Sequence, residues 1–327
     1  MARANLREQI INLFLTRGDV FLSGEQISAE LGVSRAAVWK HIDQLRRVGY
    51  EIEAQPSRGY HLLRRPDLLL PEMVRCDLNT ACIGCEVHYF ASTDSTNVRA
   101  GELGDSGAPE GTVVVAESQS AGRGRMGRSW ISPAGVNLYT SVLLRPQILP
   151  LQASQLTFMA AVAVARAVEA VTELPVTVKW PNDILINGKK VAGLLNELSA
   201  EMEGIHYVVL GIGININMDS GQFPADLRYP ATSLMLELGA SVERVELARE
   251  LYRQLDSLYR LYCERGFAPV RLAWEALFAM LGCEVAVDCG GQEFRGVVGG
   301  INGDGALLLN LADGAVQEIY AGDVTPL

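Results

Sequence analysis

The chain has 327 residues and a formal net charge of −10, from 28 Lys or Arg against 38 Asp or Glu. Hydrophobic residues make up 49% of it and charged residues 20%, a composition that excludes a disordered chain and is typical of a globular protein. At roughly 100 to 200 residues per domain, this length predicts two or three domains.

Membrane insertion and export are both disfavoured by the sequence. The longest apolar run, residues 156–171, contains Arg166 and Glu169 and is shorter than the roughly 20 residues that a bilayer crossing needs, so it predicts a buried helix. The N-terminus has charged residues but no apolar stretch followed by a cleavage site, so no export signal is expected. We therefore expect a cytoplasmic protein without a membrane partner.

The six cysteines do not indicate a disulfide scaffold, because such scaffolds belong to small secreted domains. Cys82 and Cys85 form a metal-like cluster, with Cys76 before it and His88 after it. Zinc sites usually have a second ligand pair at matching spacing. Thiols packed at a strand entry are therefore favoured over a structural metal or a redox site.

Charge is unevenly distributed along the chain. Residues 1–65 carry ten Lys or Arg against seven Asp or Glu, a charge of +3, whereas the remainder carries 18 against 31, a charge of −13. A basic module on an acidic body is typical of a protein in which one domain binds a polyanion such as DNA.

The basic module predicts three helices followed by a hairpin. The first helix repeats apolar residues at helical spacing and stops at a glycine. Ser23 and Gln26 form a capping-box start for the second helix, and Ser34 caps the third. Alternating residues around a turn at 55–59 then predict a hairpin. This is the order of a winged helix-turn-helix domain, here residues 1–65.

This domain predicts a DNA-binding surface. The third helix would enter the major groove, and the hairpin would approach the phosphate backbone. Small three-helix modules also serve as protein-docking units, and this alternative stays open. The candidate DNA contacts are Ser34, Arg35, Ala36, Trp39, Lys40 and Arg58, and the candidate phosphate contacts are Lys40, Arg46 and Arg47.

The rest of the chain predicts two further domains after a linker at 66–85. Over residues 86–279, strand-like and helix-like segments alternate irregularly, which predicts an α/β domain on a mixed sheet. Over residues 280–327, short strand-like segments separated by Gly, Asp and Asn turns predict a small β-barrel of the SH3-like kind.

Lys179 is a candidate for a placed catalytic charge. It follows the apolar segment Pro175-Val-Thr-Val and precedes Trp180 and Pro181. Proline fixes its own φ and pushes the residue before it toward extended geometry, which leaves this segment little backbone freedom. The alternative is an ordinary surface lysine at a strand end.

A glycine-rich loop at 122–130 interleaves three glycines with Arg123, Arg125 and Arg128. Glycines permit a close approach of the backbone, and arginines can grip an anion from several sides. In an acidic domain, such a cationic loop predicts a ligand site. No Gly-Lys-Ser/Thr ends the loop, so it is not a Walker-type loop.

The same glycines match the G-x-G-x-x-G dinucleotide fingerprint, so a nicotinamide-sensing repressor is a rival hypothesis. That fingerprint needs a helix to open at the glycines and an acidic residue about 20 positions later. Here Ser129-Trp-Ile-Ser-Pro133 follows, and the region near 147 is Arg-Pro-Gln-Ile-Leu-Pro. Both features disfavour dinucleotide binding.

Four segments, taken in this order, resemble the biotin protein ligases. The resemblance runs from about residue 89 to the C-terminus. The segments are Ser92-Thr-Asp-Ser95-Thr96-Asn97, Gln119 to Trp130, Lys179-Trp-Pro-Asn-Asp183 and Gly211-Ile-Gly213-Ile-Asn215-Ile-Asn217.

The resemblance implies a biotin ligase that uses biotin and ATP as substrates. The biotin carboxylate would join the α-phosphate of ATP to give biotinyl-AMP and pyrophosphate, and a lysine of a biotin carboxyl carrier protein would then take the acyl group. Lys179 and Arg125 are implied as catalytic, since cations stabilise two approaching anions. The implied biotin-binding residues are Ser95, Thr96, Asn97, Gln119, Arg123, Gly124, Arg125 and Lys179, and the implied adenylate-binding residues are Arg123, Arg125, Arg128, Asn182 and Asn215.

The resemblance also implies Mg²⁺ and a homodimer. Asn182 and Asp183 are candidate Mg²⁺ ligands, or else a turn after the strand. The adenylate-bound dimer would bind operator DNA and repress biotin synthesis genes, and the loop at 122–130 would fold over the ligand. Met126 departs from the family pattern, where a basic or polar residue is expected. Pro230 stands near the place of an adenine-stacking aromatic, so the stacking residue is not assigned.

Two further rivals stay open at this level. One is a ligand-sensing winged-helix transcription factor without transferase activity. The other is a lipoate ligase, which shares a catalytic lysine but is expected to lack the Gly-Arg-Gly-Arg-x-Gly-Arg loop.

Overall fold

The computed structural model describes residues 6–201, 204–227 and 229–327. The chain divides into two compact units, Met1–Leu78 and Asn79–Leu327. The prediction that no export signal is present was made from residues 1–8, of which residues 1–5 lie outside the described part.

The first unit has the predicted helix-turn-helix and wing. Ser23 and Gln26 form the predicted capping box, and Ser34 accepts a hydrogen bond from the amide of Ala37 at the start of the third helix. Val38, Ile42 and Leu45 of that helix are fully buried. The elements are α1 (Leu6–Arg17), α2 (Gly24–Leu31), α3 (Arg35–Arg47), the antiparallel hairpin β1 (Glu51–Gln55) and β2 (Gly59–Arg64), and α4 (Pro71–Arg75).

The segment predicted as a linker is more structured than the sequence suggested. Its short helix α4 belongs to the first unit and packs on α1. Arg75 of α4 lies 3.1 Å from the Glu8 carboxylate of α1, and this glutamate is buried. The first compact unit extends to Leu78 and so includes part of the segment predicted as a linker.

The second unit is built on the predicted mixed sheet. In the part of the chain that the structure describes, seven strands have the order β3-β4-β5-β9-β8-β7-β6. β3 and β4 are parallel, and every other neighbouring pair is antiparallel. The strands are β3 (Val87–Phe90), β4 (Val113–Ala116), β5 (Leu138–Leu144), β6 (Thr177–Lys179), β7 (Asp183–Ile186), β8 (Lys189–Glu201) and β9 (Gly204–Ile214).

Helices pack on this sheet, and their buried side chains contribute to the hydrophobic core of the second unit. The predicted buried helix is α6, whose alanines and valines between residues 160 and 168 are buried. It contacts α8 and α9, and Phe158 and Trp274 meet edge to face with their ring centroids 5.0 Å apart. The helices are α5 (Thr96–Asp105), α6 (Gln155–Thr172), α7 (Leu234–Leu238), α8 (Arg244–Arg265) and α9 (Ala268–Glu275).

The prediction that the apolar run 156–171 forms a buried helix is confirmed for α6. A short 3-10 turn precedes the helix, so the helical segment Pro150–Thr172 is 23 residues long and could cross a membrane by length and composition alone. In the structure, 78% of its most apolar window is buried inside the unit. Packing in the domain core therefore accounts for its apolar character.

The C-terminal segment is an antiparallel sheet with the order β13-β12-β11-β10-β14. The short strand-like segments predicted over residues 280–327 form four of its strands, at 284–288, 293–301, 307–310 and 316–319, whereas the last strand was not predicted. The strands are β10 (Glu284–Asp288), β11 (Glu293–Ile301), β12 (Leu307–Asn310), β13 (Val316–Ile319) and β14 (Asp323–Pro326).

Candidate active site and DNA-binding surface

A row of cross-strand partners forms one side of the site. Lys179 of β6 pairs with Asp183 of β7, Asp183 with Gly193 of β8, and Gly193 with Gly213 of β9. Directly opposite residues in adjacent strands lie on the same face of a sheet. Strand register therefore places the lysine, the carboxylate and the two glycines on one face.

The parallel pair β3 and β4 supplies the other side. Because the carboxyl ends of parallel strands lie at the same edge of a sheet, the segments after these two strands emerge together. Thr93 and Gln119 continue the pairing as a parallel bridge beyond the strand ends. This arrangement brings the Ser95–Asn97 segment beside the glycine-rich loop.

These segments enclose one cavity, and every residue predicted for biotin, adenylate or Mg²⁺ binding lines it. The sequence therefore identified a set of side chains that the fold does bring together, whereas the ligand that each one contacts stays a prediction. The predicted residues in the lining are Ser95, Thr96, Asn97, Gln119, Arg123, Gly124, Arg125, Arg128, Lys179, Asn182, Asp183 and Asn215.

Protein contacts hold the uncharged polar residues of this cavity in place. The side-chain oxygen of Gln119 accepts the Thr96 amide at 2.8 Å, and its nitrogen donates to the Ser132 hydroxyl at 3.0 Å. Ser95 precedes helix α5 but makes no side-chain capping hydrogen bond. The Ser95 hydroxyl is therefore not used to cap the helix, although it is buried in the cavity wall.

Asn97 has both ends of its carboxamide engaged. Its nitrogen donates to Glu197 at 2.7 Å, and its oxygen accepts from the Ser141 hydroxyl at 2.6 Å. A methyl group added to Gly211 would lie 2.2 Å from this oxygen. The glycine is needed because a side chain there would displace Asn97.

Trp130, at the end of the glycine-rich loop, lies on a floor of two glycines. A Cβ on Gly213 would lie 2.6 Å from the indole nitrogen, and one on Gly193 would lie 2.9 Å from the indole ring. Since these glycines are cross-strand partners, together they leave a flat surface that admits the indole. Gly211 and Gly213 alternate with buried isoleucines, which explains the Gly-Ile-Gly-Ile pattern of β9.

The cations of the cavity are held by aromatic and polar neighbours. The Lys179 ammonium lies 3.6 Å from the centre of the Tyr229 ring, and only 9% of the lysine is exposed. Arg125 donates to the Asn182 side-chain oxygen at 3.3 Å. Burial lowers the pKa of Arg125, while the nearby carboxylates of Asp323 and Asp183 act in the opposite direction. A positive charge at Arg125 is therefore poorly hydrated and available to an anion.

The other loop arginines contact carboxylates. Arg128 forms a two-point ion pair with Asp323 of β14, and the hydrogen bond that it donates raises the pKa of Arg128. Arg123 lies 3.6 Å from the Glu197 carboxylate. The glycine-rich loop is thus connected both to β8 and to the C-terminal sheet.

Sequence reasoning missed Lys190, Tyr229 and Asp323 as members of this cavity. Lys190 lies 2.5 Å from Asp183 and faces the Trp130 ring at 5.4 Å. It follows Lys189, whose ammonium instead contacts Glu237 at 3.1 Å. The order of two adjacent lysines does not reveal which one faces inward, because a bulge between β7 and β8 shifts the register there.

The loop geometry disfavours the dinucleotide alternative. Arg125–Gly127 forms a single 3-10 turn, in which Met126 has a φ of 56°, and Arg128 is already extended. Over the described residues 128–149, no helix opens after the glycines. The pyrophosphate cradle of that fold needs a helix N-terminus at this point.

The Cys82-x-x-Cys85 turn is part of the fold. The amides of Cys82 and Ile83 donate to one oxygen of Asp256 on α8, at 2.8 and 2.9 Å. Burial, with nearby acidic groups, raises the pKa of Cys82 to about 12. A thiol with such a pKa is a poor nucleophile near neutral pH.

The predicted DNA-binding residues lie on the exposed side of α3 and on the wing. Arg35, Ala36, Trp39 and Lys40 are exposed, and the exposed fraction of Trp39 is 60%. Arg58 of the wing lies over the Phe21 ring at 4.0 Å. An exposed tryptophan beside basic residues is unusual for a free surface and suits a binding face.

Two of the predicted phosphate contacts are occupied within the domain. Arg46 donates to the Ile52 carbonyl at 2.7 and 3.0 Å, which connects α3 to the wing. Arg47 pairs with Asp43 at 2.7 Å, one turn earlier on the same helix. Lys40 is the basic residue of this set that points outward without such a contact among the described residues.

Comparison with known proteins gives family matches in three segments of the chain. Residues 89–215 match the Biotin/lipoate A/B protein ligase family, residues 6–61 match an HTH domain, and residues 280–325 match the Biotin protein ligase C terminal domain.

Individual relatives match over nearly the full length. The chain is 42% identical over 323 residues to the bifunctional ligase/repressor BirA of Bacillus spizizenii, covering 98% of this chain and 99% of that protein. It is 34% identical over 309 residues to the bifunctional ligase/repressor BirA of Escherichia coli K12, covering 93% of this chain and 92% of that protein. The solved structure of the biotin protein ligase from Aquifex aeolicus in complex with biotin and ATP matches with a TM-score of 0.64 and 31% identity, over 74% of this chain and 99% of that one. The chain therefore belongs to the family of bifunctional biotin ligase/repressors.

Proposed function

We propose that this chain makes biotinyl-AMP from biotin and ATP in the cavity described above and passes biotin to a lysine of a biotin carboxyl carrier protein. The observation that supports this function is the convergence of five cations with a wall of uncharged hydrogen-bonding groups. Biotin carboxylate and ATP are both anions, so cations are needed to bring them together. The five cations that line the cavity are Lys179, Lys190, Arg123, Arg125 and Arg128.

The polar wall suits the ureido ring of biotin. Ser95 and Thr96 offer hydroxyl groups, and a buried polar group left without its partner discriminates strongly against analogues. Asn97 and Gln119 act mainly by positioning, because their carboxamides already bind neighbouring protein groups. Trp130 closes this part of the cavity over its glycine floor.

We assign Lys179 and Lys190 together to the reacting anions. Lys179 contacts an aromatic ring and Lys190 contacts the Asp183 carboxylate, so neither ammonium is neutralised by more than one acid among the described contacts. Arg125 stands between Asn182 and two carboxylates. In this arrangement the carboxylate of biotin attacks the α-phosphorus of ATP, the new O–P bond forms, and pyrophosphate leaves with the electron pair of the old one.

The Mg²⁺ prediction at Asn182 and Asp183 does not fit this arrangement. Asp183 is already in contact with the Lys190 ammonium, and the Asn182 oxygen accepts from Arg125. Both candidate ligands therefore face cations that a metal would have to displace. Mg²⁺ in nucleotide enzymes is often held mainly by substrate phosphates, and we assign no protein-held Mg²⁺ here.

For the first unit we propose operator binding as a dimer, with adenylate as the co-repressor. Its basic charge, complete winged helix and outward-facing α3 residues support this role. A two-fold dimer would bind a palindromic site with one α3 in each major groove. A cytoplasmic location follows from the same proposal, since both partners would be met there.

Transfer of labelled biotin to a carrier domain in the presence of Mg-ATP tests the enzyme directly. The expected result is incorporation that depends on both ATP and the acceptor lysine. A chain that binds biotin and ATP but labels no carrier would instead be a ligand-sensing transcription factor.

Thermal unfolding separates the remaining rivals. A ligand that binds only the folded state raises the apparent stability. Biotin with Mg-ATP is expected to raise Tm strongly, whereas lipoate with Mg-ATP and NADH are not. The DNA role is tested separately, by asking whether the biotinyl-AMP complex prefers a selected palindromic DNA over bulk DNA.

A further inference from the structure

A second cavity adjoins the proposed active site. It reaches from the start of α6 and from β8 to the turn between β11 and β12. Arg125 and Asn182, which contact each other, stand in the wall between the two cavities. The residues that line both cavities are Arg125, Trp180, Pro181, Asn182, Leu194 and Leu195.

The second cavity has mostly apolar walls, with a positive charge in the wall that it shares with the first cavity and a negative charge outside that wall. Phe158, Trp180 and Leu195 give it apolar walls, and Trp180 is fixed by a hydrogen bond from its indole nitrogen to the Gly305 carbonyl at 3.1 Å. Among the described lining residues, Arg125 and Asp304 are the charged ones. Arg125 stands in the shared wall, whereas Asp304 is exposed and lines the second cavity alone.

The outer end of this cavity is open to solvent. Leu198 and Tyr320 line it with exposed fractions of 43% and 57%, and Ser154 is also exposed. None of these three residues lines the first cavity. The second cavity therefore runs from an exposed, acidic rim to the wall of the proposed active site.

We propose that this second cavity is the route by which the acceptor lysine of the carrier protein reaches biotinyl-AMP. The inference rests on the proposed ligase function and adds a separate entrance for the second substrate. A lysine side chain has an apolar stem and a cationic tip, and the cavity matches it with apolar walls and an acidic rim.

The charge arrangement also suits the chemistry of the transfer. The lysine ammonium, with an ordinary pKa of about 10.4, must lose a proton to solvent before it can attack. Apolar walls and a neighbouring guanidinium both disfavour the charged form of an amine. The neutral amine then attacks the acyl carbon, the C–N bond forms, the C–O bond to the phosphate breaks, AMP leaves with its electron pair, and the nitrogen releases its second proton to solvent.

Pyrophosphate release is the competing use of such a cavity. An exit for a highly charged anion would be expected to have several cations. Here a single arginine is offset by a single aspartate among the described lining residues. The balance of charge favours an alkylammonium group over pyrophosphate, and the two uses predict different effects on the two half-reactions.

Two variants of the full-length chain test the route. Thr157 is partly exposed on α6 and lines the second cavity but not the first, so Thr157→Trp fills the passage. Ala170→Trp adds the same side chain to an exposed position near the other end of this helix and is the matched control. Asp304→Lys reverses the charge at the rim without adding bulk to the core.

Each variant is followed through three measurements, which are pyrophosphate release without carrier, biotin transfer to a carrier domain, and reaction of the adenylate with hydroxylamine. For Thr157→Trp, transfer is expected to fall by at least about tenfold, since misplacing a reacting group by about 1 Å already costs ~100-fold. Pyrophosphate release and the hydroxylamine reaction should stay within about twofold of wild type. For Asp304→Lys, kcat/KM for the carrier should fall in a salt-dependent way.

The outcomes separate the alternatives. Unchanged transfer by folded Thr157→Trp would overturn the route, and slowed pyrophosphate release would make the cavity part of the first half-reaction. If Thr157→Trp does not fold, Asp304→Lys decides, because unchanged carrier kinetics at low salt would contradict the acidic entrance. A wild-type chain that releases no pyrophosphate would refute the ligase function itself, a result distinct from a failure of the route.

Discussion

Gly193 and Gly213 face each other on neighbouring strands, and the indole of Trp130 lies against both. An added Cβ would lie 2.9 Å from the nearest indole atom at Gly193 and 2.6 Å from it at Gly213. A methyl group at either position would therefore occupy the space that the indole uses. The sheet therefore contributes to the cavity by the absence of side chains at two paired positions.

This relationship predicts that Gly213→Ala weakens biotin binding by about tenfold or more, equivalent to ~1.4 kcal/mol. The methyl group would force the indole out of its place and open the polar wall. Biotin titration by calorimetry measures the effect. Gly303→Ala is the control, because a Cβ there meets no atom within 4 Å. Equal biotin affinities for both variants would argue against a role of the glycine floor.

The two cavity lysines are expected to act on the same step. Lys179→Ala and Lys190→Ala should each slow biotinyl-AMP formation by about 100- to 1000-fold, the usual cost of losing one group that stabilises developing charge. Single-turnover pyrophosphate release measures this step. Lys189→Ala, whose ammonium contacts Glu237, should leave the rate nearly unchanged. A Lys179→Ala variant that works at the wild-type rate would refute the catalytic assignment.

A buried ion pair connects α8 to the strand that leads to Gln119. Arg244, which is fully buried, donates to Glu117 at 2.8 Å and to the Asn137 carbonyl at 3.1 Å. Arg244→Met should lower the free energy of unfolding by about 3–5 kcal/mol, because it leaves a buried carboxylate without this partner. Urea denaturation measures the loss.

Two further variants test whether the loss of stability comes from the buried ion pair. Arg260→Met on the exposed side of α8 should change the free energy of unfolding by no more than about 0.5 kcal/mol. Adding Glu117→Leu to Arg244→Met should restore part of the loss, since an apolar pair replaces the ionic one. If the double variant loses as much free energy of unfolding as the two single variants lose together, the two residues act independently.

Glu237 makes the free energy of unfolding depend on pH in the acid range. Its carboxylate accepts hydrogen bonds from Thr232 at 2.6 Å, Asn187 at 2.7 Å and Lys189 at 3.1 Å. These contacts, led by the one from Thr232, hold the pKa of Glu237 below its ordinary value of 4.5. A lowered folded-state pKa stabilises the fold above the unfolded pKa, and this contribution is lost as pH falls through the folded value.

Glu237→Gln should therefore be less stable than wild type at pH 7, and the difference should shrink as pH falls below 4.5. Thermal unfolding of both proteins between pH 7 and the acid range measures it. Glu264→Gln, at an exposed position on α8, is the control. A difference that stays constant over the whole range would mean that the charge of Glu237 does not contribute.

In the first unit, Lys40→Ala should weaken binding to the selected palindrome and to bulk DNA by the same factor. A phosphate contact carries no sequence information, and its loss should reduce the salt dependence by about 0.9 in the logarithmic slope. Trp39→Ala should instead change the preference between sequences. Fluorescence anisotropy at several salt concentrations measures both, with exposed Arg166→Ala on α6 as the control. A lysine variant that loses only specific binding would place Lys40 at a base.

Much of this architecture could be predicted from local pattern. The capping box at Ser23 and the helix start at Ser34 depend on neighbours within a few residues, and both are confirmed. The mixed sheet was also predictable as a class. β14 was not, because its pairing with β10 depends on residues far away in the chain.

Part of the cavity lining could also be predicted, because it depends on local pattern. Arginines between glycines, and a lysine before a Trp-Pro corner, are unusual enough to be found by local inspection. Lys190 and Asp323 were missed because no motif surrounds them, and Tyr229 was missed although its neighbour Pro230 stands near the place of an adenine-stacking aromatic. Their role in the site depends on strand register and on contacts such as Arg128 with Asp323.

The amino-acid sequence alone determined the chemistry available to this protein: a basic helix-turn-helix, a cationic glycine-rich loop and a constrained lysine, because each is set by adjacent residues. Only the tertiary structure decided which lysine of an adjacent pair faces inward, which glycines make room for Trp130, and that a second cavity meets the first at Arg125 and Asn182. The physical reason is that strand register and packing join residues that are distant in the chain, and no local pattern specifies those pairs.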